Sequence, residues 1–451
     1  MPAAERIAAL RRENIAIKRQ LTDAIIAHDA LVPTSIEALT TENRLLREHF
    51  AAYRAKAERP RPFPLWPLAA TLAVQTLSTA AAYSIPAVAP VVAKHLGIDP
   101  ALVGVYISIV YGVGIFSALF SPPIVHRYGA TRVCQAVMLS TLAMIATAAS
   151  GSLIAVVLSA AMMGLAYGAT APSSTHLLVP LTPPAHINVV LSLRQIGVPL
   201  GGMLAGLIMP PLVLLADWQT ALLLQLVPAF ALLLMLEPAR RNWDSVPKPG
   251  GVTNAAGLLE PLRLLKGSGP LRRLTFASFV YAGLQLCFIV FMTTQLTTVV
   301  GFDLISAGQA LAVYQLSGVI ARPIWGWLAD NVLAARWLLA IHGVVMCTAA
   351  ILAGQFSPDW PRLYVLLVCC AGGATASGYT GIAYAEYARI GGAKRTEATG
   401  LGSAFMFAGV MVLPLVMSAT VIKLGGYAPA YTAIGLLALL AGMLLALQRE
   451  R

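Results

Sequence analysis

The chain has 451 residues, 58% of them hydrophobic and 11% charged, with a formal net charge of +12. Those proportions exclude a soluble globular protein, in which roughly 25% of residues are charged. Nor is the positive charge that of a nucleic-acid binder, because it collects in alternate connections between apolar runs rather than in one patch.

Residues 1–62 hold 11 Lys/Arg and 8 Asp/Glu and read as a cytoplasmic helical coiled-coil hairpin. Ile7, Leu10, Asn14, Ile17, Leu21, Ala24, His28 and Leu31 recur at steps of three and four, the period of a coiled-coil seam. Pro33 ends that helix and Ser35 can cap the next. The second seam runs Ile36, Leu39, Asn43, Leu46, Phe50 and Tyr53. Two such helices bury their seams poorly alone, so residues 1–60 suit self-association or a partner protein; a hairpin folded on itself and a loose charged extension are the plainer readings.

From residue 63 the composition changes. Apolar runs of about 20 residues, enough for a hydrocarbon core of ~30 Å, centre near 78, 111, 141, 164, 201, 228, 286, 317, 345, 372, 410 and 438. Twelve spans are expected. Arg127, Arg132, Arg240, Arg241, Arg336, Arg389 and Lys394 fall in one set of connections and only Lys94, Arg362 and Lys423 in the other. By the positive-inside rule both termini face the cytoplasm of a cell whose inner membrane holds the chain. A Pro/Gly-containing, basic stretch at 239–273 divides the spans six and six, giving halves at 63–238 and 274–451.

The halves echo each other. Gly97–Arg132 and Gly301–Arg336 align without a gap, pairing Gly97/Gly301, Asp99/Asp303, Gly104/Gly308, Gly114/Gly318, Ala130/Ala334 and Arg132/Arg336. Gly168-Ala169-Thr170-Ala171 and Gly373-Ala374-Thr375-Ala376 repeat in the fourth and tenth spans. An internal repeat with a basic central loop is the layout of a two-half secondary transporter.

Gly326-Trp327-Leu328-Ala329-Asp330-Asn331 after the eighth span resembles the loop signature G-x-L-A-D-R of the major facilitator superfamily. The first-half counterpart, Pro122-Pro123-Ile124-Val125-His126-Arg127-Tyr128-Gly129, has Pro122 for the first Gly and His126 for the Asp. The resemblance covers residues 63–451. It implies an all-α membrane protein of two pseudo-symmetric six-helix halves, with Gly326, Asp330, Arg336, Arg127, Gly129 and Arg132 in its gating motif. Ser192–Gly202 is similar to bacterial organic-anion carriers. Ala321-Arg322-Pro323-Ile324-Trp325-Gly326 is similar to the eighth helix of monocarboxylate transporters, where the arginine meets the substrate carboxylate. That family places an acid eleven residues earlier; here the position is Leu311.

Arg322 lies eight residues before Asp330, ~12 Å of depth at 1.5 Å per residue. A guanidinium near the midplane costs several kcal/mol unless it meets water, a partner or a substrate. Its planar fork suits a carboxylate or similar oxyanion; the structural reading is a link to helix carbonyls or a snorkelled position. Arg194, six to eight residues into the fifth span, reaches the same region from the other half. Gln75, Gln285, Tyr314 and Gln315 lie well inside their spans, either lining a cavity or hydrogen-bonding between helices.

Carboxylates are scarce in the spans, with Glu386 the one expected there, so Glu386, His176 or the substrate itself would carry any coupled proton. The five cysteines lack disulfide or zinc spacing. No nucleophile–base set, metal cluster or phosphate loop is readable, and neither an enzyme nor a cofactor is expected. The expectation is a carrier of a small anionic substrate, an organic carboxylate first, working by alternating access amid membrane lipid. Its alternatives are a drug or metabolite efflux carrier and a transporter-like anchor that recruits a partner through the coiled coil.

Overall fold

A computed structural model describes residues 10–19, 40, 44, 63–183, 187–244, 264–392 and 395–447, with their side chains except at 119, 122, 123, 126, 187–189, 192, 330 and 395–397. The chain divides into two units, Met1–Pro62 and Phe63–Arg451. In the first, residues 10–19 are helical and Leu10, Ile15 and Ile17 are exposed. The rest of the expected hairpin, including most of both seams, lies outside the described residues.

In the second unit the described elements are all helical, and twelve of the described helices are long and apolar enough to cross a membrane. Spans 1 to 6 are Leu65–Ala87, Pro100–Ala118, Ala130–Ala148, Leu153–Leu181, Leu193–Leu215 and Trp218–Trp243. Spans 7 to 12 are Gly269–Thr298, Leu304–Ala329, Ala335–Gly354, Arg362–Gly391, Ala398–Leu424 and Tyr427–Ala446. Span 6 thus continues past the linker boundary drawn at 238, since Pro238 removes one ladder hydrogen bond without ending the helix. This corrects the expectation that Glu386 is the carboxylate of the spans: Glu237 is also inside one, half exposed, and paired with Arg132 at 3.3 Å and Arg240 at 3.1 Å.

The repeated Gly-x-Asp explains how two of the spans begin. Gly97 (φ 66°) and Gly301 (φ 82°) adopt the left-handed backbone that ends a helix. Two residues on, Asp99 accepts the Ala101 N–H at 2.8 Å and Asp303 accepts the Ser306 N–H at 2.9 Å, starting the next helix. The Ser306 hydroxyl and N–H hold the Asp303 carboxyl below its ordinary value. The cap therefore contributes fully above the unfolded-chain value and is lost as pH falls through that lower one. Asp303→Ala should cost about 1 kcal/mol of stability at neutral pH, and the difference from wild type in thermal melts should shrink on acidification.

Apolar surface supplies no drive between helices in lipid, so close packing and hydrogen bonds must hold them. Tyr281 donates to the Leu339 carbonyl at 2.9 Å and Gln295 to that of Ala353 at 2.5 Å. The equal offset of both bonds shows spans 7 and 9 running parallel. Within each half the repeated glycines pack alike: a Cβ on Gly168 would run into the Gly114 carbonyl, and one on Gly373 into that of Tyr314.

Other glycines join the halves. A Cβ on Gly104 would meet Phe291 at 2.7 Å and the Pro414 carbonyl, and the Ser418 hydroxyl donates to the Ala101 carbonyl at 2.6 Å. Its repeat partner Gly308 touches the Gly206 carbonyl of span 5. From Gly308 a continuous seam follows: Leu311 against Gly206, Gln315 against Gly202, and Arg322 against Gln195. Positions 308, 311, 315 and 322 share one helical face, so Arg322 is carried on the face of span 8 that meets the other half.

Candidate functional site

Span 5 enters as the helix Ile187–Gln195, breaks at Ile196 and resumes as Gly197–Leu215. Arg194, at the break, is 3% exposed. It donates from Nη2 to Gln75 Oε1 at 2.7 Å and from Nη1 to Gln195 Oε1 at 3.1 Å. Gln75 is oriented in turn by its own donation to Thr79 Oγ1 at 3.0 Å. The Arg194 Nε is buried and has no hydrogen-bond partner among the described residues.

Arg322 is half-buried. Its Nε donates to the Ser377 carbonyl at 3.0 Å, its Nη2 to Ser377 Oγ at 3.4 Å, and its Nη1 to the Gln195 carbonyl at 3.2 Å. Ser377 closes the π-helical turn Gly373–Ser377 in span 10, a local change of ladder register that often marks functional positions. The link to helix carbonyls is therefore present, and among the described residues neither guanidinium has an ion-pair partner. Two positive charges meet at Gln195, one on its side chain and one on its carbonyl. Tyr167 is an electrostatic neighbour of both. Neutral oxygens satisfy donors but leave the charge standing, which is costly for the buried Arg194 guanidinium.

The other expected residues separate into groups. Gln75 belongs to the arginine site. Gln315, 1% exposed, points its Nε2, which has no partner, against Gly202 on the same seam. Tyr314 is fully buried against Phe288 and donates to the Gln285 carbonyl at 3.3 Å, which ties span 8 to span 7. Glu386 is buried at the end of span 10 and pairs with Arg389 at 2.6 Å; His176 is half-buried in span 4. In the gating motif, Arg127 lies over the Tyr128 ring and Arg336 over that of Trp337. Gly326 has open space where a Cβ would stand, and the Asp330 side chain is outside the described residues.

The structure adds residues that the sequence reading passed over. Gln195 and Ser377 are the acceptors, and Pro199, four residues after Gln195, was the available signal for a carbonyl without a helical donor. Asp244 is the other addition. Its carboxylate accepts the N–H groups of Thr131 at 2.8 Å and Arg132 at 3.3 Å, opening span 3, against Gly129 with its positive φ. In the half where His126 stands in place of an acid, a carboxylate from the end of span 6 caps that helix.

A cavity of about 320 Å³ lies between spans 9 and 10, walled by residues such as Val344, Leu352 and Leu367, and one of about 150 Å³ lies beside Ile85 and Tyr106. Their walls are mainly hydrocarbon, with Thr348 in the first and Asp99 and Tyr106 in the second.

The family model described as Major Facilitator Superfamily matches residues 71–353 and 274–451. The chain is similar to a probable nitrate/nitrite transporter, NarK2, of Mycobacterium tuberculosis, at 33% identity over 38% of this chain and 42% of that protein. It is also similar to the 4-hydroxybenzoate transporter PcaK of Pseudomonas aeruginosa, at 28% identity over 54% of this chain and 61% of that one. The chain thus spans about two fifths to three fifths of the length of these curated relatives. Among solved structures it resembles a bacterial homologue of the human lysosomal transporter Spinster, with a TM-score of 0.61, 16% identity, and 86% and 95% of the two chains covered. The peptide transporter POT in complex with sulfate gives a TM-score of 0.66 at 15% identity, covering 84% and 93%.

Proposed function

The chain belongs to the Major Facilitator Superfamily, and from that premise we propose that it carries a small planar oxyanion across the membrane, bound between Arg194 and Arg322. The observation that carries this reading is the meeting of two guanidiniums, one from each half, at Gln195 with no carboxylate among the described residues paired to either. Nitrate, nitrite and 4-hydroxybenzoate, named for the two relatives, share what a guanidinium fork recognises: coplanar oxygens bearing one negative charge. The placement supports alternating access, with the anion bridging two bodies that rock against each other. The basic connections support an orientation with both termini in the cytoplasm.

Cation efflux finds little support, because Glu386 and Glu237, the described carboxylates inside spans, are already paired with arginines. The test is a thermal-shift screen of the full chain in detergent with the sodium salts of nitrate, nitrite, formate, benzoate and 4-hydroxybenzoate, against matched chloride. At least one oxyanion should stabilise the protein in a saturable way, with at least 10-fold preference over chloride. Stabilisation by organic cations and by none of these anions overturns the proposal.

A further inference from the structure

We propose that Arg322 and the carbonyl of Gln195 form a latch between the two halves, and that the transported anion opens it by taking the Nη1 edge of the guanidinium. This rests on the reading of Arg322 as an anion ligand and adds what that ligand does in its absence.

The latch begins with Pro199. In an unbroken helix the Gln195 carbonyl would accept the N–H of residue 199, and proline has none. The helix lapses there, ending at Gln195 and restarting at Gly197, and the freed oxygen lies 3.2 Å from Arg322 Nη1. A single proline thus turns a main-chain acceptor of one half toward a cation of the other.

The rest of the guanidinium stays with its own half. Nε and Nη2 both go to Ser377, one to the carbonyl and one to the hydroxyl, which fixes the plane of the fork. Nη1 is the atom that crosses. Exchanging a neutral carbonyl for an anion at Nη1 strengthens that hydrogen bond, since charge-assisted bonds are roughly twice as strong, and leaves the Ser377 contacts in place. The same anion meets Arg194, whose Nη1 is held by the Gln195 side chain at 3.1 Å and whose Nε is unpartnered. One residue, Gln195, therefore gives up both arginines as the ligand arrives.

The sequence repeat explains why the device exists on one side only. Ala118 and Pro172 stand in the first half where Arg322 and Ser377 stand in the second, so the first half lacks both the guanidinium and the serine hydroxyl at the matching positions. Above the latch the Gly308–Gly206 and Gln315–Gly202 contacts continue the same seam, and exchanging the direct Arg322–Gln195 bond for a longer bridge through the anion widens the seam at its basic-loop end.

Restoring the missing donor tests the idea. Pro199→Ala and Pro199→Gly both supply an N–H for Gln195, in a background where Cys370, the exposed native cysteine, is alanine. Spin labels at Tyr128 and Asn331, exposed residues of opposite halves at the basic-loop end, report their separation by pulsed electron resonance. Without any anion, the proline variants should populate the wider separation that saturating nitrate produces in the parent, and they should bind nitrate 3- to 10-fold more tightly. Parent-like separations and nitrate affinity in both folded variants overturn the latch, even when Arg322→Ala abolishes the nitrate response. A nitrate response retained in Arg322→Ala overturns the anion-site reading beneath it.

Discussion

Arg322→Ala should weaken binding of the transported anion by about 100-fold, or ~3 kcal/mol, the range for truncating one partner of a buried charge pair. Proteoliposome uptake should fall to the level of empty vesicles. The side chain holds its plane through two bonds to Ser377 and reaches the other half with its third nitrogen. Alanine removes all three contacts and the charge together. Arg322→Lys separates these effects: it keeps the charge but replaces the fork with a point charge, so it should recover only part of the affinity. Arg194→Ala should behave like Arg322→Ala, since the two act on one anion, and the double variant should be no worse than either alone. Full uptake by both single variants removes the proposed site; additive losses in the double variant place the arginines on separate steps.

Gly308→Val should abolish uptake by a different route. A Cβ there already meets the Gly206 carbonyl and Pro210 Cγ at 2.7 Å, so the branched side chain forces spans 5 and 8 apart. Overpacking of this kind costs about 1–3 kcal/mol, and lipid offers no compensating hydrophobic gain on separation. The melting temperature should drop and uptake should fall at least 10-fold. Gly381→Ala is the matched control, with open space at the added Cβ, and should melt like wild type. An active, wild-type-like Gly308→Val would show that this seam does not hold the halves together.

Much of the molecule was legible in the chain. Twelve apolar runs, a basic central loop and the Gly-x-Asp repeat specify the spans and the way two of them start, because span length, glycine backbone freedom and aspartate capping act locally. The asymmetry of the repeat singled out Arg322. Its partners were not legible, since Ser377 and Gln195 lie 55 and 127 positions away. Glu237 and Asp244 escaped for a related reason. Whether span 6 stops at Pro238 or runs on to Trp243 depends on what its end can pair with, and Arg132 and the N-terminus of span 3 are distant in sequence.

By itself, then, the sequence determined a twelve-span, two-half membrane protein with Arg322 in an apolar span of the second half and Arg194 near the start of the fifth. Each of those properties follows from short-range composition and periodicity. Only the tertiary structure decided that the arginines converge on Gln195, that the repeated glycines Gly104 and Gly308 join one half to the other, and that Asp244 caps the helix behind His126. Those are close approaches of backbones and side chains from different spans, set by where a Cβ is absent and where a carbonyl lacks its helical donor.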